Sequence, residues 1–318
     1  MSKQSQPKRI FLTGASGYTG SVVTELAVSD GYEVHGLSRS DASDEKLRDL
    51  GAVPVRGDLT SLEVLRREAA EADIVLHLAT AYVFGGEPYE TIRPIDTAAV
   101  DAIADGLAGT NKPLVVTSGT LVVPADPTGA ETTESTPAEQ DPINTRIKTE
   151  MHSLGLASRG VRVMSVRMAP YVYGRGGSGI ALFMGIAAQT GSVTIVDGGK
   201  NRTTVVHVDD AARLFLLAAE KGRAGEIYNA SSATEVTSRQ ISQEIATAVG
   251  VPLRDISKED AVAQLGPMVS FFLSVENRAS GKKARVELGW EPRGPGILED
   301  ITEGSYREVA KAIGKGKD

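Results

Sequence analysis

Arg9-Ile10-Phe11-Leu12-Thr13-Gly14-Ala15-Ser16-Gly17-Tyr18-Thr19-Gly20 is a short apolar run that breaks into three glycines and then into helical spacing. It reads as a strand, a tight turn and a helix N-terminus. Gly14 permits the sharp turn, Gly17 lets the backbone come close to a pyrophosphate, and Gly20 lets the helix lie tightly on its strand, with the first N–H groups facing the anion. The spacing is GxxGxxG rather than GxGxxG, and glycines between strand and helix also serve purely structural ends. The context sharpens the signal: Val22, Val23, Leu26 and Ala27 continue at helical period, and Glu33 to Ser38 reads as a second strand. The stretch predicts a dinucleotide-binding βαβ unit.

The end of that second strand bears on which dinucleotide. An acidic residue there would bind the ribose 2′-hydroxyl of NAD. The chain instead has Ser38-Arg39-Ser40, a guanidinium between two hydroxyls, which suits the 2′-phosphate of NADP. Val53 to Arg56 makes a third strand running into Gly57-Asp58-Leu59, and Thr60-Ser61-Leu62-Glu63 has the form of a capping box. Asp58 can accept from an adenine amino group or support that cap. The fourth strand, Asp73 to Leu78, leads to Ala79-Thr80-Ala81, small residues where a dinucleotide would pass close to the backbone. His77 inside it reads as a satisfied core histidine. The residues expected around NADP(H) are thus Gly14, Ser16, Gly17, Tyr18, Gly20, Arg39, Asp58, Leu59, Ala79 and Thr80, with Thr117 and Pro170 at the ends of later strands.

Composition narrows the partners. A formal charge of −7 and a pI near 5.3 argue against nucleic acid and anionic membrane surfaces. Without cysteine there is no disulfide, thiol nucleophile or thiolate metal site, and His35, His77, His152 and His207 show no ligand spacing, so no metal is expected. Met1 to Lys8 is polar, and no later run approaches a membrane span. The expectation is a cytoplasmic protein, monomer or homodimer, with a small-molecule substrate.

Along the rest of the chain, residues 82 to 95 read as irregular but aromatic, one wall of a substrate pocket. A helix from Asp96 to Gly106 leads to a fifth strand, Pro113 to Thr117, ending in Ser118-Gly119-Thr120. Residues 122 to 142 read as an exposed loop. A helix opening at Asn144 should place Ile147, Met151 and Leu154 inward, and Val161 to Met168 is a sixth strand. These repeats predict an α/β fold with a doubly wound parallel (Rossmann) sheet. Beyond Pro170 the regularity loosens into a glycine-dense loop and mixed small elements. The expected organisation is a Rossmann domain over 1–170, a smaller substrate lobe mainly over 171–295, and a C-terminal helix within 296–318 that returns to the sheet. Within the lobe, Asp209 or Asp210 is expected to cap a helix at Ala211 to Ala219.

Taken together, Thr13-Gly14-Ala15-Ser16-Gly17-Tyr18-Thr19-Gly20, Gly57-Asp58-Leu59, the Val115 to Ser118 strand end, Val172-Tyr173-Gly174, Val206 to Ala212 and Tyr228-Asn229-Ala230 resemble the extended short-chain dehydrogenase/reductases, the group with NAD-dependent epimerases and dehydratases. The resemblance covers almost the whole chain. It implies a phenol, its pKa lowered by a neighbouring ammonium, that exchanges a proton with substrate while C4 of the nicotinamide exchanges a hydride. The family places that tyrosine four residues before a lysine. Lys148 fits the lysine, with a role on the nicotinamide ribose, but the residue four before it is Asn144, and the family's serine falls on Gly119. The chain is therefore similar to the atypical branch that lacks the Tyr-xxx-Lys pair.

Candidate replacements are Thr120, beside the lost serine, and the loop tyrosines Tyr82, Tyr89, Tyr171 and Tyr173, while Asn144 could act as a hydrogen-bond donor. The expected activity is NADP(H)-dependent reduction of a small carbonyl or enone. A non-redox isomerase, cyclase or lyase, and a dinucleotide-sensing binding protein, are the alternatives.

Overall fold

The computed structural model describes residues 7–83, 86–139, 142 and 145–315. The first half alternates strand and helix. It contains β1 (Arg9–Thr13), α1 (Tyr18–Ser29), β2 (Glu33–Ser38), α2 (Asp41–Asp49), β3 (Val53–Arg56), α3 (Leu62–Glu71), β4 (Ile74–His77), α4 (Tyr89–Leu107), β5 (Pro113–Gly119), α5 (Arg146–Gly155) and β6 (Arg162–Met168). There follow β7 (Tyr171–Tyr173), α6 (Ser178–Thr190), β8 (Val193–Val196), β9 (Arg202–His207), α7 (Val208–Lys221), β10 (Ile227–Ala230), β11 (Ala233–Thr237), α8 (Ser238–Val249), β12 (Leu253–Ile256), α9 (Lys258–Leu265) and α10 (Pro267–Ser274). The chain closes with α11 (Lys282–Leu288), α12 (Ile297–Thr302) and α13 (Arg307–Lys315).

The main sheet has seven parallel strands in the order β10-β6-β5-β4-β1-β2-β3. The fold is a Rossmann-like doubly wound sheet. One face is covered by α1 and α7, the other by α3, α4 and α5, and each face buries its own apolar cluster. Strand order reverses between β1 and β4, so the crevice for a ligand opens at their C-terminal ends. Both glycine constraints sit there. Gly14, with φ at +72°, would place a Cβ 3.0 Å from the Ala79 nitrogen, and a Cβ on Gly20 would stand 2.0 Å from the Gly14 carbonyl oxygen.

The expected division at residue 170 is crossed by the chain. After β7, α6, β8 and β9 have built part of the smaller lobe, α7 and β10 return to the main sheet, β10 as its seventh strand. The local sequence marks a strand at Glu226 to Asn229, one residue off the observed bounds, but not which sheet it joins. The C-terminal segment is two helices rather than one, α12 packing on α8 and α13 on α6 and α8 in the lobe instead of returning to the sheet: Ile297, Ile301 and Tyr306 share a core with Tyr171, Ile180 and Ile241.

Local readings shift for physical reasons as well. The helix α4 starts at Tyr89, seven residues before its expected start, so part of the stretch read as irregular is helical, with Pro94 accommodated inside it at the loss of one N–H. Ser61 caps α3 without a side-chain hydrogen bond, so no capping box forms. The α7 cap is His207, whose Nδ1 accepts from the Asp209 N–H, while Asp210 is buried and accepts from Arg293 and Gly294.

The loop after β5 is partly buried: Val122, Val123 and Thr132 are inside, Thr132 bridges to Ala279, and Glu131 and Glu134 accept from Thr234 and the Asn229 N–H. Its partners lie from 95 residues away, at Asn229, to Ala279 much further along the chain, beyond the reach of a local reading. Among the described residues, no helix is long and apolar enough to cross a membrane.

Because the Gly20 position has no room for a methyl group, Gly20→Ala is expected to lower stability by about 1–3 kcal/mol, read as the shift of the urea midpoint. An unchanged midpoint would contradict the packing of α1 on the turn.

Candidate active site

Two cavities meet at the switch point. The first, of about 370 Å³, runs over the glycine turn and is lined by Gly14, Ser16, Gly17, Arg39, Asp58, Leu59, Ala79 and Thr80, together with Ser43 and Ala81. The second, of about 360 Å³, lies beyond Thr80 and is lined by Thr80, Tyr82, Thr117, Ser118, Thr120, Arg146, Pro170 and the apolar Leu78, Met168, Val172, Met268, Phe271 and Phe272. Thr80 belongs to both.

The floor of the first cavity is the N-terminus of α1. Gly17 is the N-cap and offers no side-chain acceptor, and the first turn carries no acidic residue, so the leading N–H groups keep their capacity for an external anion. Lys46 donates to the Ser16 carbonyl at 2.8 Å, tying α2 to the turn. Arg39 is exposed at the far end. Asp58 is committed to its own turn: its Oδ1 accepts from the Thr60 N–H (2.8 Å), the Thr60 hydroxyl (2.6 Å) and the Ser61 hydroxyl (3.2 Å), which hold its carboxyl below the usual range.

Tyr18 does not line this groove. Its ring lies against Gly177 and its hydroxyl donates to the Gly174 carbonyl at 2.7 Å, so it braces the glycine-dense loop instead of a ligand. Gly20 is buried under the turn.

At the junction, Asp96 fixes the passage. Its carboxylate accepts from the Thr80 hydroxyl (2.6 Å), the Ala81 N–H (2.7 Å) and the Tyr89 hydroxyl (2.9 Å). The sequence puts Asp96 at a helix start, whereas it lies inside α4, where Thr80, Ala81 and Tyr89 converge on it. Thr13 accepts from the Ala79 N–H (3.2 Å) and shares a hydrogen bond with His77 Nδ1 (2.9 Å). Burial pushes the His77 pKa down to about 4, which makes it a neutral core residue near pH 7.

The tyrosines separate. Tyr171 is in the lobe core, and burial raises its pKa. Tyr173 donates to the Pro295 carbonyl at 2.6 Å. Tyr89 is buried, shares its hydroxyl with Asp96 and Thr149, and is pushed up to about 12, first by burial. Tyr82 alone of the four lines the second cavity, its ring edge-on to Tyr89 with centroids 5.9 Å apart.

The helix α5 is rotated from its expected phase. Glu150 and Ser153 are buried, whereas Met151 is 58% exposed. The cause is polar. Glu150 holds Arg167 with contacts of 3.0, 3.1 and 2.7 Å and accepts from Ser165 at 2.7 Å, a fully interior pair that an apolar-face reading cannot find. Arg146 therefore faces the second cavity, with its guanidinium over the Tyr89 ring at 5.8 Å. Lys148, two residues on and about 200° around the helix, is turned away. Its ammonium sits on Glu90 and lines neither cavity, so the expected contact with a ribose has no counterpart here.

Thr120 is buried with its hydroxyl donated to Asn277 at 2.9 Å, which leaves it no proton to offer a substrate. Asn144 lies outside the described residues.

A family model described as the NAD dependent epimerase/dehydratase family matches residues 10–231. The chain belongs to that family. It is 34% identical to an uncharacterized protein of Schizosaccharomyces pombe over 94% of this chain and 99% of the other. It is 27% identical to the 4-hydroxy-2-methyl-3-oxo-4-farnesyl-3,4-dihydroquinoline-1-oxide ketoreductase of Stigmatella aurantiaca, over 90% of this chain and 92% of that one. In structure it is similar to the UDP-glucose 4-epimerase of Thermus thermophilus, solved in complex with NAD, with a TM-score of 0.74 and 20% identity over 96% and 98% of the two chains.

The His77 shift has a checkable consequence. Its folded pKa lies below the unfolded 6.5, so its contribution is complete above about pH 6.5 and is lost as pH falls toward 4, where the unfolded chain takes up a proton the fold refuses. A loss on the order of 3 kcal/mol across that window is expected. Urea titrations from pH 7 to 4.5 should show it, and His77→Gln should flatten the slope.

Proposed function

We propose that the protein is an NADP(H)-dependent reductase of a small carbonyl or enone substrate. The reading rests on one observation: a groove that ends on Arg39 and Ser43 runs through Thr80 into an apolar cavity containing a tyrosine. The groove suits a dinucleotide. A pyrophosphate fits the uncapped N-terminus of α1, a 2′-phosphate meets the Arg39 guanidinium and the Ser43 hydroxyl, and no carboxylate at the end of β2 repels it. Among the described residues Arg39 makes no ion pair that a phosphate would have to break. The ring end would rest near Thr117 and Pro170. The dinucleotide supplies, when bound, a hydride from C4 of its nicotinamide.

The protein's own part is the proton. Hydride addition to a carbonyl carbon leaves an oxygen that needs one proton to become an alcohol, and Tyr82 is the phenol in the cavity to give it. The apolar lining excludes water from that exchange. Ketoreductase activity in a relative of 27% identity supports a reductase.

Titration with NADPH and NADH, on the parent and on Arg39→Ala, tests the cofactor. The parent should prefer NADPH, and the substitution should weaken NADPH alone by about ten- to a hundredfold. Equal affinities in the parent would refute it. Tyr82→Phe should then slow NADPH oxidation by about 10²–10⁴-fold with a carbonyl substrate while leaving NADPH affinity unchanged. A rate within a few-fold of the parent would remove Tyr82 from the chemistry.

A further inference from the structure

The roof of the second cavity is one face of α10. Met268, Phe271 and Phe272 stand at i, i+3 and i+4, so the helix turns all three the same way, and all three line the cavity. Phe272 ties that roof to the lobe: its ring centroid lies 5.3 Å from that of Tyr171 and 6.2 Å from that of Phe183, within the lobe's apolar cluster. Phe271 lines the cavity but, among the described residues, lies outside that cluster. The floor belongs to the main sheet, with Leu78 after β4 and Met168 at the end of β6.

The cavity is also neutral as a whole. Among its described lining residues the one charged side chain is Arg146, and that charge is already engaged inside the protein. Its guanidinium lies over the Tyr89 ring at 5.8 Å, and it also lines a smaller cavity, of about 20 Å³, with the buried Asp96 and Glu150 carboxylates. Glu150 is paired in turn with Arg167. Two guanidinium groups thus stand against two carboxylates behind one wall. A ligand anion brought there finds no unshared cation, faces two carboxylates of its own sign, and gives up its water for an apolar roof.

Volume sets the remaining limit. A dry cavity of about 150 Å³ takes one benzene. The second cavity, of about 360 Å³, would share its space with the nicotinamide end of a dinucleotide at Thr117 and Pro170, which leaves room for one ring and a short chain.

We propose that the substrate is a neutral ketone with an apolar body of about one ring, held under Met268, Phe271 and Phe272, and that carboxylates and nucleoside diphosphate sugars are excluded. The proposal rests on the reading of this cavity as the substrate end of a reductase site, and narrows it. The balance is that of a simple reduction: the carbonyl carbon gains a hydride, its oxygen gains the Tyr82 proton, and NADPH is the reductant.

Calorimetric titration of the intact protein with 4-phenylbutan-2-one and 3-phenylpropionate, with and without NADP⁺, tests this. The two probes differ in little but the exchange of a methyl ketone for a carboxylate. The ketone should bind at least about tenfold more tightly than the acid. With NADP⁺ present, UDP-glucose should not displace it. Phe271→Ala should weaken the ketone by about tenfold, and Phe271→Leu, which keeps most of the apolar surface, by less. Melting curves confirm that each variant folds; should Phe271→Ala fail to fold, Phe271→Leu and a several-fold loss in Met268→Ala carry the test.

Equal or tighter binding of the acid, displacement of the ketone by UDP-glucose, no binding of the ketone, or a ketone affinity untouched in the folded variants would overturn the proposal. No hydride transfer is needed for this readout. A protein that holds the ketone through Phe271 yet oxidises no NADPH with it sinks the reductase reading alone. One that oxidises NADPH with an acidic or sugar carbonyl but not with the ketone sinks the neutral substrate alone.

Discussion

The architecture depends on how closely the turn after β1 approaches the end of β4. At that switch point there is no room for a side chain at residue 20, and almost none at residue 14, because the turn, the first turn of α1 and the Ala79 backbone occupy one small volume. The approach brings the N–H groups of α1 beside the small residues that follow β4, which forms the first cavity. It also sets α1 against α7, which cover the same face of the sheet. Bulk at either glycine would separate the strand end from the helix start, and the anion-binding floor would go with it.

A second constraint is electrostatic and lies on the other face. Glu150 and Arg167 are both inside the protein, where two charges cost several kcal/mol each to desolvate and recover that cost only through mutual contact and further hydrogen bonds. Ser165 supplies one of those bonds. Such a pair is weak evidence for net stability. Its clear effect is on orientation, because it admits one rotation of α5 and thereby decides that a guanidinium, not an ammonium, meets the cavity.

The two halves of the molecule are tied through the glycine-dense loop after β7. The Gly174 carbonyl accepts from Tyr18 in the glycine turn, while the Gly174 N–H donates at 2.8 Å to Tyr306 in the C-terminal segment, whose hydroxyl in turn donates to the Gly177 carbonyl at 2.9 Å. Arg175 adds a bridge between Glu25 on α1 and Asp209 on α7. A loop that composition marks as flexible is thus clamped at both ends. Burial first, and then the neighbouring Tyr306 phenol, raise the Tyr18 pKa, which keeps that hydroxyl a donor across the physiological range.

The sequence by itself determined the strand-turn-helix start, the βα alternation, the parallel sheet, and the strand ends from Gly14 to Thr80 that line the first cavity. These are short-range matters: a glycine pattern, a hydrophobic period and the small residues after a strand are all written within a dozen positions. What only the tertiary structure decided depends on partners far along the chain. The Ile227–Ala230 strand joins the main sheet, and the C-terminal helices join the lobe, because packing selects among surfaces that local periodicity cannot rank. Asp96 matters because Thr80, Ala81 and Tyr89 converge on it. Of Ile147, Met151 and Leu154, expected inward on α5, Leu154 packs on the core but Met151 faces solvent, because hydrophobic spacing does not register the buried ion pair of Glu150 with Arg167, 17 residues on. That single rotation exchanged Lys148 for Arg146 at the cavity, and no spacing in the sequence contains it.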